Sequence, residues 1–213
     1  MICKKIAITQ RLVSNDSYSE IREALDIKWG ALFQEIDFLP IVMPIEYDFE
    51  KYFKIIGIDG IFLTGGNDLN SLNSSDSSAQ RDFFEKRLIN YGIKNNIPIF
   101  GVCRGMQLIA EYFGSNFKKV EGQVAIKHTL KVNKESKYFN RLIKLDKVNS
   151  YHGYAVSSVP DQLLVSATND SGVIKSIEHR QYKIFGQMWH SEREKPFHID
   201  ELNLINNFFN NEG

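Results

Sequence analysis

Cysteine is almost missing from this 213-residue chain: only Cys3 and Cys103 occur, too few for a disulfide framework. A lone functional thiol suits a reducing compartment, which points to the cytoplasm. Net charge is missing too. Lys plus Arg and Asp plus Glu each total 26, so no overall field favours nucleic acid or an anionic membrane surface. No apolar run approaches the roughly 20 residues that a membrane-spanning helix needs. The opening nine residues carry two lysines and too short an apolar stretch for a signal peptide; they read as a first buried strand. The histidines are scattered without ligand spacing, no dinucleotide fingerprint occurs, and no Gly-x-Ser-x-Gly segment supports a serine hydrolase. Neither a metal nor a cofactor is expected.

What is present is an ordinary globular composition with 43% hydrophobic residues, and a length that fits one domain over 1–213. Short apolar runs at 6–9, 39–43, 60–64 and 97–102 alternate with helical spacing over 19–36 and 81–94. This implies βαβ units, hence a mostly parallel sheet with helices on both faces. Asn15, Asp16 and Ser17 are good starting residues for the first helix. The stretch 65–80 is too polar and turn-rich to be buried structure, and it follows a buried strand, at the sheet edge where open α/β folds keep ligands. Runs at 163–167 and 173–177, joined by Asp170-Ser171-Gly172, predict smaller strands added in the second half. A closing helix is expected over 199–209.

The segment Ile99-Phe100-Gly101-Val102-Cys103-Arg104-Gly105-Met106-Gln107 carries the chemistry. A buried strand ends at Val102 and a helix begins near Arg104, with Cys103 between them and glycine two residues to either side. A nucleophile elbow needs that arrangement: the turn is strained and leaves no room for neighbouring side chains. It would hold the sulfur over the sheet at a helix N-terminus, which favours thiolate. Cys3 has none of these features and reads as a structural residue in a core strand. Near the C-terminus, Phe185-Gly186-Gln187-Met188-Trp189-His190-Ser191-Glu192-Arg193-Glu194 supplies a base and an orienter. Residues i and i+2 of an extended chain point the same way, so Glu192 can reach back to His190. Glu194 could take that place if the chain turned sharply. Thr64-Gly65-Gly66-Asn67 follows another buried strand, and the amides of Gly66 and Arg104 would hold a developing oxyanion.

Together these segments resemble the class I (triad) glutamine amidotransferase superfamily, and within it the free-standing γ-glutamyl hydrolase, peptidase C26-like branch. The resemblance covers nearly the whole chain and includes Ile8-Thr9-Gln10-Arg11, Arg81-Asp82 with Glu85, Asn149-Ser150-Tyr151-His152 and Trp189-His190-x-Glu192. It implies a glutamine amidotransferase-like α/β fold. It further implies that Cys103 attacks a γ-glutamyl carbonyl to give a thioester, that His190 moves the protons, and that Glu192 orients His190. Gln107 matches a residue that contacts the glutamyl group. Asn149, Ser150, Tyr151 and His152 match a loop that grips its α-amino and α-carboxylate groups, with a packing role as the alternative for His152. His128, His179 and His198 match nothing catalytic. The family usually has proline where Ser191 stands, which would have stiffened the turn. Asn15-Asp16-Ser17-Tyr18, Gly65-Gly66-Asn67-Asp68-Leu69 and His190-x-Glu192-Arg193-Glu194 more closely resemble hydrolases of γ-glutamyl-CDP-amidate in capsule biosynthesis. That would require cations for a diphosphate, with Arg11, Arg81, Arg104 and Arg193 as candidates.

Two other readings share these residues. One is a glutaminase subunit that supplies ammonia to a separate synthetase partner, although no fused synthetase segment accompanies the motifs here. The other is an inactive relative kept as a binding or regulatory module, although Cys103, His190 and Glu192 are all retained.

Overall fold

A computed structural model describes residues 3–15 and 17–210. The chain opens with strand β1 (Lys4–Ile8) and a hairpin of β2 (Arg11–Ser14) and β3 (Ile21–Ala24). Helix α1 (Ile27–Glu35), β4 (Phe38–Val42), α2 (Phe49–Ile56), β5 (Gly60–Leu63), α3 (Asp76–Lys94), β6 (Ile99–Val102) and α4 (Arg104–Tyr112) follow in alternation. The second half brings β7 (Asn116–Lys119), β8 (Val124–Thr129), β9 (Lys131–Val132), the short α5 (Phe139–Leu142), β10 (Lys147–Tyr151) and β11 (Tyr154–Ser158). It continues with β12 (Leu163–Thr168), β13 (Ile174–His179) and β14 (Ile184–Gln187), and closes with a 3-10 turn (Ser191–Arg193) and α6 (Ile199–Asn210).

Among the described residues, eight strands form one sheet in the order β4-β1-β5-β6-β14-β13-β12-β9. The first five run parallel, and the last three are antiparallel additions, as the shorter runs of the second half predict. The central strands β5, β6 and β14 are buried at every residue, because helices cover both faces. Phe62 and Phe100 stack at 5.3 Å across β5 and β6, and Phe33 and Phe208 meet these two rings edge-on. Each fully buried ring of this kind contributes about 1.5–3 kcal/mol. Because β5, β6 and β14 are parallel neighbours, the segments that leave their carboxyl ends emerge side by side. No helix among the described residues is long and apolar enough to cross a membrane.

Several local expectations differ from the structure. The helix expected over 19–36 starts only at Ile27; Ile21–Ala24 instead pairs with Arg11–Ser14. Its apolar stripe is genuine from Trp29 onward, with Trp29, Leu32 and Phe33 buried, while Ile21 lies exposed on the hairpin. Asp26, not 15–17, caps the helix through its bond from the Lys28 amide. Asn15 uses the same chemistry for a turn, accepting from Ser17 N at 2.9 Å; Asp16 lies outside the described residues. Helix α3 begins at Asp76 with Ser75 as cap, so the polar stretch 65–80 ends in helix, and Leu69 within it is fully buried. Cys3 is exposed just before β1, where its thiol donates to Asp37 O at 3.1 Å, because the buried part of that strand begins at Ile6.

Candidate active site

Cys103 sits between β6 and α4 with φ 53° and ψ −104°, a conformation that costs a non-glycine residue about 1–3 kcal/mol. Two glycines make it attainable. A Cβ on Gly105 would lie 2.2 Å from the Leu63 carbonyl oxygen, and one on Gly101 would lie 2.6 Å from the Gly105 carbonyl carbon. Both obstacles are backbone, so no side-chain movement relieves them. The Cys103 amide donates to Gln187 O at 2.7 Å, which ties the elbow to the end of β14.

Beyond β14, buried Met188 and Trp189 lead to His190, whose backbone is extended. Glu192 does not continue that extension: it lies in the 3-10 turn, which brings its Oε1 to 2.6 Å from His190 Nδ1. Cys103 acts on the same imidazole through hydrogen bonding and charge, and with Nδ1 occupied by Glu192 the other ring nitrogen is the one left for the thiol. Burial opposes charge on the imidazole, but the pull of Cys103 and the Glu192 carboxylate outweighs it and lifts His190 to about 9. Glu194 turns away to Lys127 and Asn149. Ser191, in place of the usual proline, accepts from Gln187 Nε2 at 2.9 Å, so hydrogen bonding holds the turn that a ring would have stiffened. Asn149 grips the backbone of His190 from both sides: its Oδ1 accepts from His190 N and its Nδ2 donates to His190 O, each at 2.8 Å.

The loop after β5 completes the floor. A Cβ on Gly65 would sit 2.9 Å from the His190 ring and 3.6 Å from Cys103 Cβ, so this loop lies directly against both. Arg81, fully buried on α3, donates to the carbonyls of Thr64, Gly65 and Gly66 at 3.0–3.1 Å. In a trans peptide the N–H points opposite to the preceding C=O. Drawing the Gly65 carbonyl inward to Arg81 therefore turns the Gly66 amide the other way, and Gly66 supplies the positive φ of 85° that the loop needs. Arg104 contributes a first-turn helix amide, a group left without an intrahelical partner. Its guanidinium is buried against Asp82 and Glu85. Arg81 and Arg104 are therefore not cations for a diphosphate, because both are engaged beneath the site. Arg11 and Arg193 are exposed beside it.

A cleft of about 280 Å³ opens over Cys103 and His190, lined also by Gly66, Asp68, Gln107, Tyr151, His152 and Arg193. Gln107 Nε2 donates to Tyr154 O at 2.9 Å, and the Arg193 guanidinium lies 4.5 Å from the centre of the Tyr151 ring. Ser150 is fully buried and faces Lys175 rather than the cleft. His128, His179 and His198 do not line it. The motifs pass over Lys175 and Glu201: no spacing rule flags a buried lysine within a strand or a buried acid in the first turn of a helix.

A thiol, an imidazole and a carboxylate in hydrogen-bonded series, with backbone amides opposite, can perform acyl transfer through a covalent thioester. The peptidase C26 family pattern matches residues 6–192. A γ-glutamyl-CDP-amidate hydrolase of Campylobacter jejuni is 35% identical over 96% of each chain. Protein NtpR of Enterococcus hirae is 30% identical over 75% of this chain and 77% of its own. A glutamine amidotransferase of Thermotoga maritima has the same fold, with a TM-score of 0.66 at 15% identity over 98% of this chain and 85% of that one. With an elbow, a hydrogen-bonded thiol–imidazole–carboxylate series and a sequence match of this extent, the chain belongs to the peptidase C26 family.

Proposed function

We propose that this protein hydrolyses a γ-glutamyl amide bond, with Cys103 as nucleophile, His190 as acid and base, and Glu192 as its orienter. The observation that carries the reading is the buried series Cys103–His190–Glu192 at a strand–helix elbow beneath an open cleft. Cys103 passes its thiol proton to His190 as the sulfur attacks the γ-carbonyl carbon, and the amides of Gly66 and Arg104 receive the oxyanion. As the C–N bond breaks, His190 gives its proton to the leaving nitrogen, and a glutamyl thioester remains. His190 then takes a proton from water, the hydroxide adds to the thioester carbon, and the C–S bond breaks to release glutamate and restore the thiol.

The substrate named for the Campylobacter jejuni relative is the best guide to the leaving group. We assign γ-glutamyl-CDP-amidate as substrate, with glutamate and cytidine diphosphoramidate as products, which would place the reaction in capsule biosynthesis. Exposed Arg11 and Arg193 support this choice. Arg11 lies against Gly66, Arg193 lines the cleft, and both flank a small recess beside His190, where a diphosphate leaving Cys103 would emerge. The test is glutamate release from γ-glutamyl-CDP-amidate, γ-glutamyl-GABA, γ-glutamyl-putrescine and glutamine, with Cys103→Ala as control. Turnover of the CDP-amidate that disappears in the Ala variant is the expected result. Reaction with glutamine alone, rising when a synthetase is added, would transfer the assignment to ammonia supply.

A further inference from the structure

Lys175 has no exposed surface although it lies within β13, a strand buried at every residue. A buried ammonium is tolerated only when its hydrogens are all used. Here three hydrogens meet three acceptors: Gln123 Oε1 at 2.8 Å, Ser150 Oγ at 3.0 Å and His152 Nε2 at 3.0 Å. The histidine tautomer fits this role. His152 Nδ1 lies 2.9 Å from the Tyr154 carbonyl, which only accepts, so Nδ1 carries the hydrogen and Nε2 is free to accept from Lys175. His152 N also donates to Gln123 O at 3.1 Å. The residues tied together precede β8, sit in β10 and follow β10, and those around His152 form one wall of the cleft. The backbone of Lys175 is engaged as well, its carbonyl accepting from Met188 N at 2.8 Å just before His190.

We propose that Lys175 is a positioning residue for substrate binding, whose ammonium, through Ser150 and His152, sets the wall over 151–154 at the distance from Cys103 that the glutamyl group needs. This rests on the cleft accepting a γ-glutamyl group. Burial pushes Lys175 down to about 8, against the opposing pull of Cys103. The titratable groups that face it are Cys103, His152 and His128. Burial, then the charge of Lys175, push His152 down to about 3, and the same two causes push His128 below its ordinary value, so neither holds a proton to lose between pH 7 and 9. When Lys175 loses its proton, the two hydrogens that remain meet Gln123 and His152, the Ser150 hydroxyl must turn to donate to the amine's lone pair, and all three ties lose the charge that strengthens them.

The measurement is KM and kcat for γ-glutamyl-CDP-amidate from pH 7 to 9. For a group at about 8, roughly one tenth of the protein remains charged at pH 9, so KM rises about tenfold in the wild-type enzyme. His190, raised to about 9, acts on the proton transfers and hence on kcat, which is read separately from KM. Lys175→Met should show a KM already raised at least about tenfold at pH 7 and flat to pH 9, with kcat changed far less. Iodoacetamide should still alkylate Cys103 in that variant, in a Cys3→Ser background, which shows that the thiol remains reactive at the site. Lys175→Gln, which keeps two donors without the charge, stands in if the Met variant does not fold. A flat KM from pH 7 to 9 in active wild-type enzyme overturns the proposal without any variant, as does an unchanged KM at pH 7 in a folded Lys175→Met. Absence of Cys103-dependent glutamate release from the wild type would instead remove the reading of the site itself.

Discussion

Glu201 lies in the first turn of α6 with 2% of its surface exposed. A helix N-terminus favours a carboxylate by about 0.3–1 kcal/mol. Burial works against the charge more strongly, and Glu194 and Glu192 add repulsion, so the carboxyl rises from 4.5 to about 7 despite a hydrogen bond with Ser191. A rise of that size corresponds to roughly 3 kcal/mol, which exceeds the helix contribution. The sign follows from proton uptake. Between pH 4.5 and about 7 the folded protein holds a proton that the unfolded chain has released, so stability falls as pH rises through that window and levels off above it. Glu201→Gln keeps the shape and cannot ionise. Urea unfolding at pH 4.5 should give similar stabilities for the two proteins, and at pH 8 the variant should be more stable by on the order of 3 kcal/mol. Other titrating groups are common to both proteins and cancel in the difference. Parallel stability curves from pH 4.5 to 8 would refute the reasoning, because they would mean that Glu201 ionises as readily folded as unfolded.

Two further substitutions test the frame of the site. Gly105→Ala puts a Cβ 2.2 Å from the Leu63 carbonyl oxygen, and backbone cannot move aside cheaply; thermal unfolding should report a loss of about 3 kcal/mol or more. Retention of wild-type stability would mean that β5 and α4 can part without penalty. Asn149→Ala leaves the buried N–H of His190 without a partner, at about 1–3 kcal/mol, while the carbonyl keeps its bond from the Arg193 amide, and should lower kcat at least about tenfold. A kcat equal to the wild type's would show that Trp189 and the 3-10 turn hold His190 unaided.

The parallel sheet, the antiparallel additions and the elbow are all legible in the sequence, because each rests on a short-range pattern: apolar runs, their spacing, and glycines on either side of a cysteine. The first helix is only half legible. Ile21 and Leu25 continue the helical spacing of Trp29, Leu32 and Phe33, but pairing of Ile21–Ala24 with Arg11–Ser14 overrides it. For Glu192, the extended geometry that suggests contact with His190 is not the geometry that makes it; a 3-10 turn does, and periodicity carries no sign of such a turn. Lys175 and Glu201 are invisible in principle from the chain alone, since a charged residue reads as surface until the structure encloses it.

The four arginines illustrate how enclosure changes a role. Read as residue types near the sheet edge, Arg11, Arg81, Arg104 and Arg193 are equivalent cations. In the fold, Arg81 and Arg104 pair with Glu85 and Asp82, and α3 presents Arg81, Asp82 and Glu85 on one side, toward the elbow and the Gly65-Gly66 loop. Burying four charges is not an economical way to gain stability, because desolvation consumes most of the attraction. Such a cluster does fix direction: a guanidinium fork turns the carbonyls of residues 64–66 inward, and the residue after Cys103 is anchored by its side chain to the same helix. The loop and the elbow that would face an oxyanion are thus referenced to one rigid element. Arg11 and Arg193 keep exposed surface on either side, Arg193 while it also lies near Glu192 and over Tyr151, so under the proposed reaction the buried pair would fix the site and the exposed pair would meet a charged leaving group.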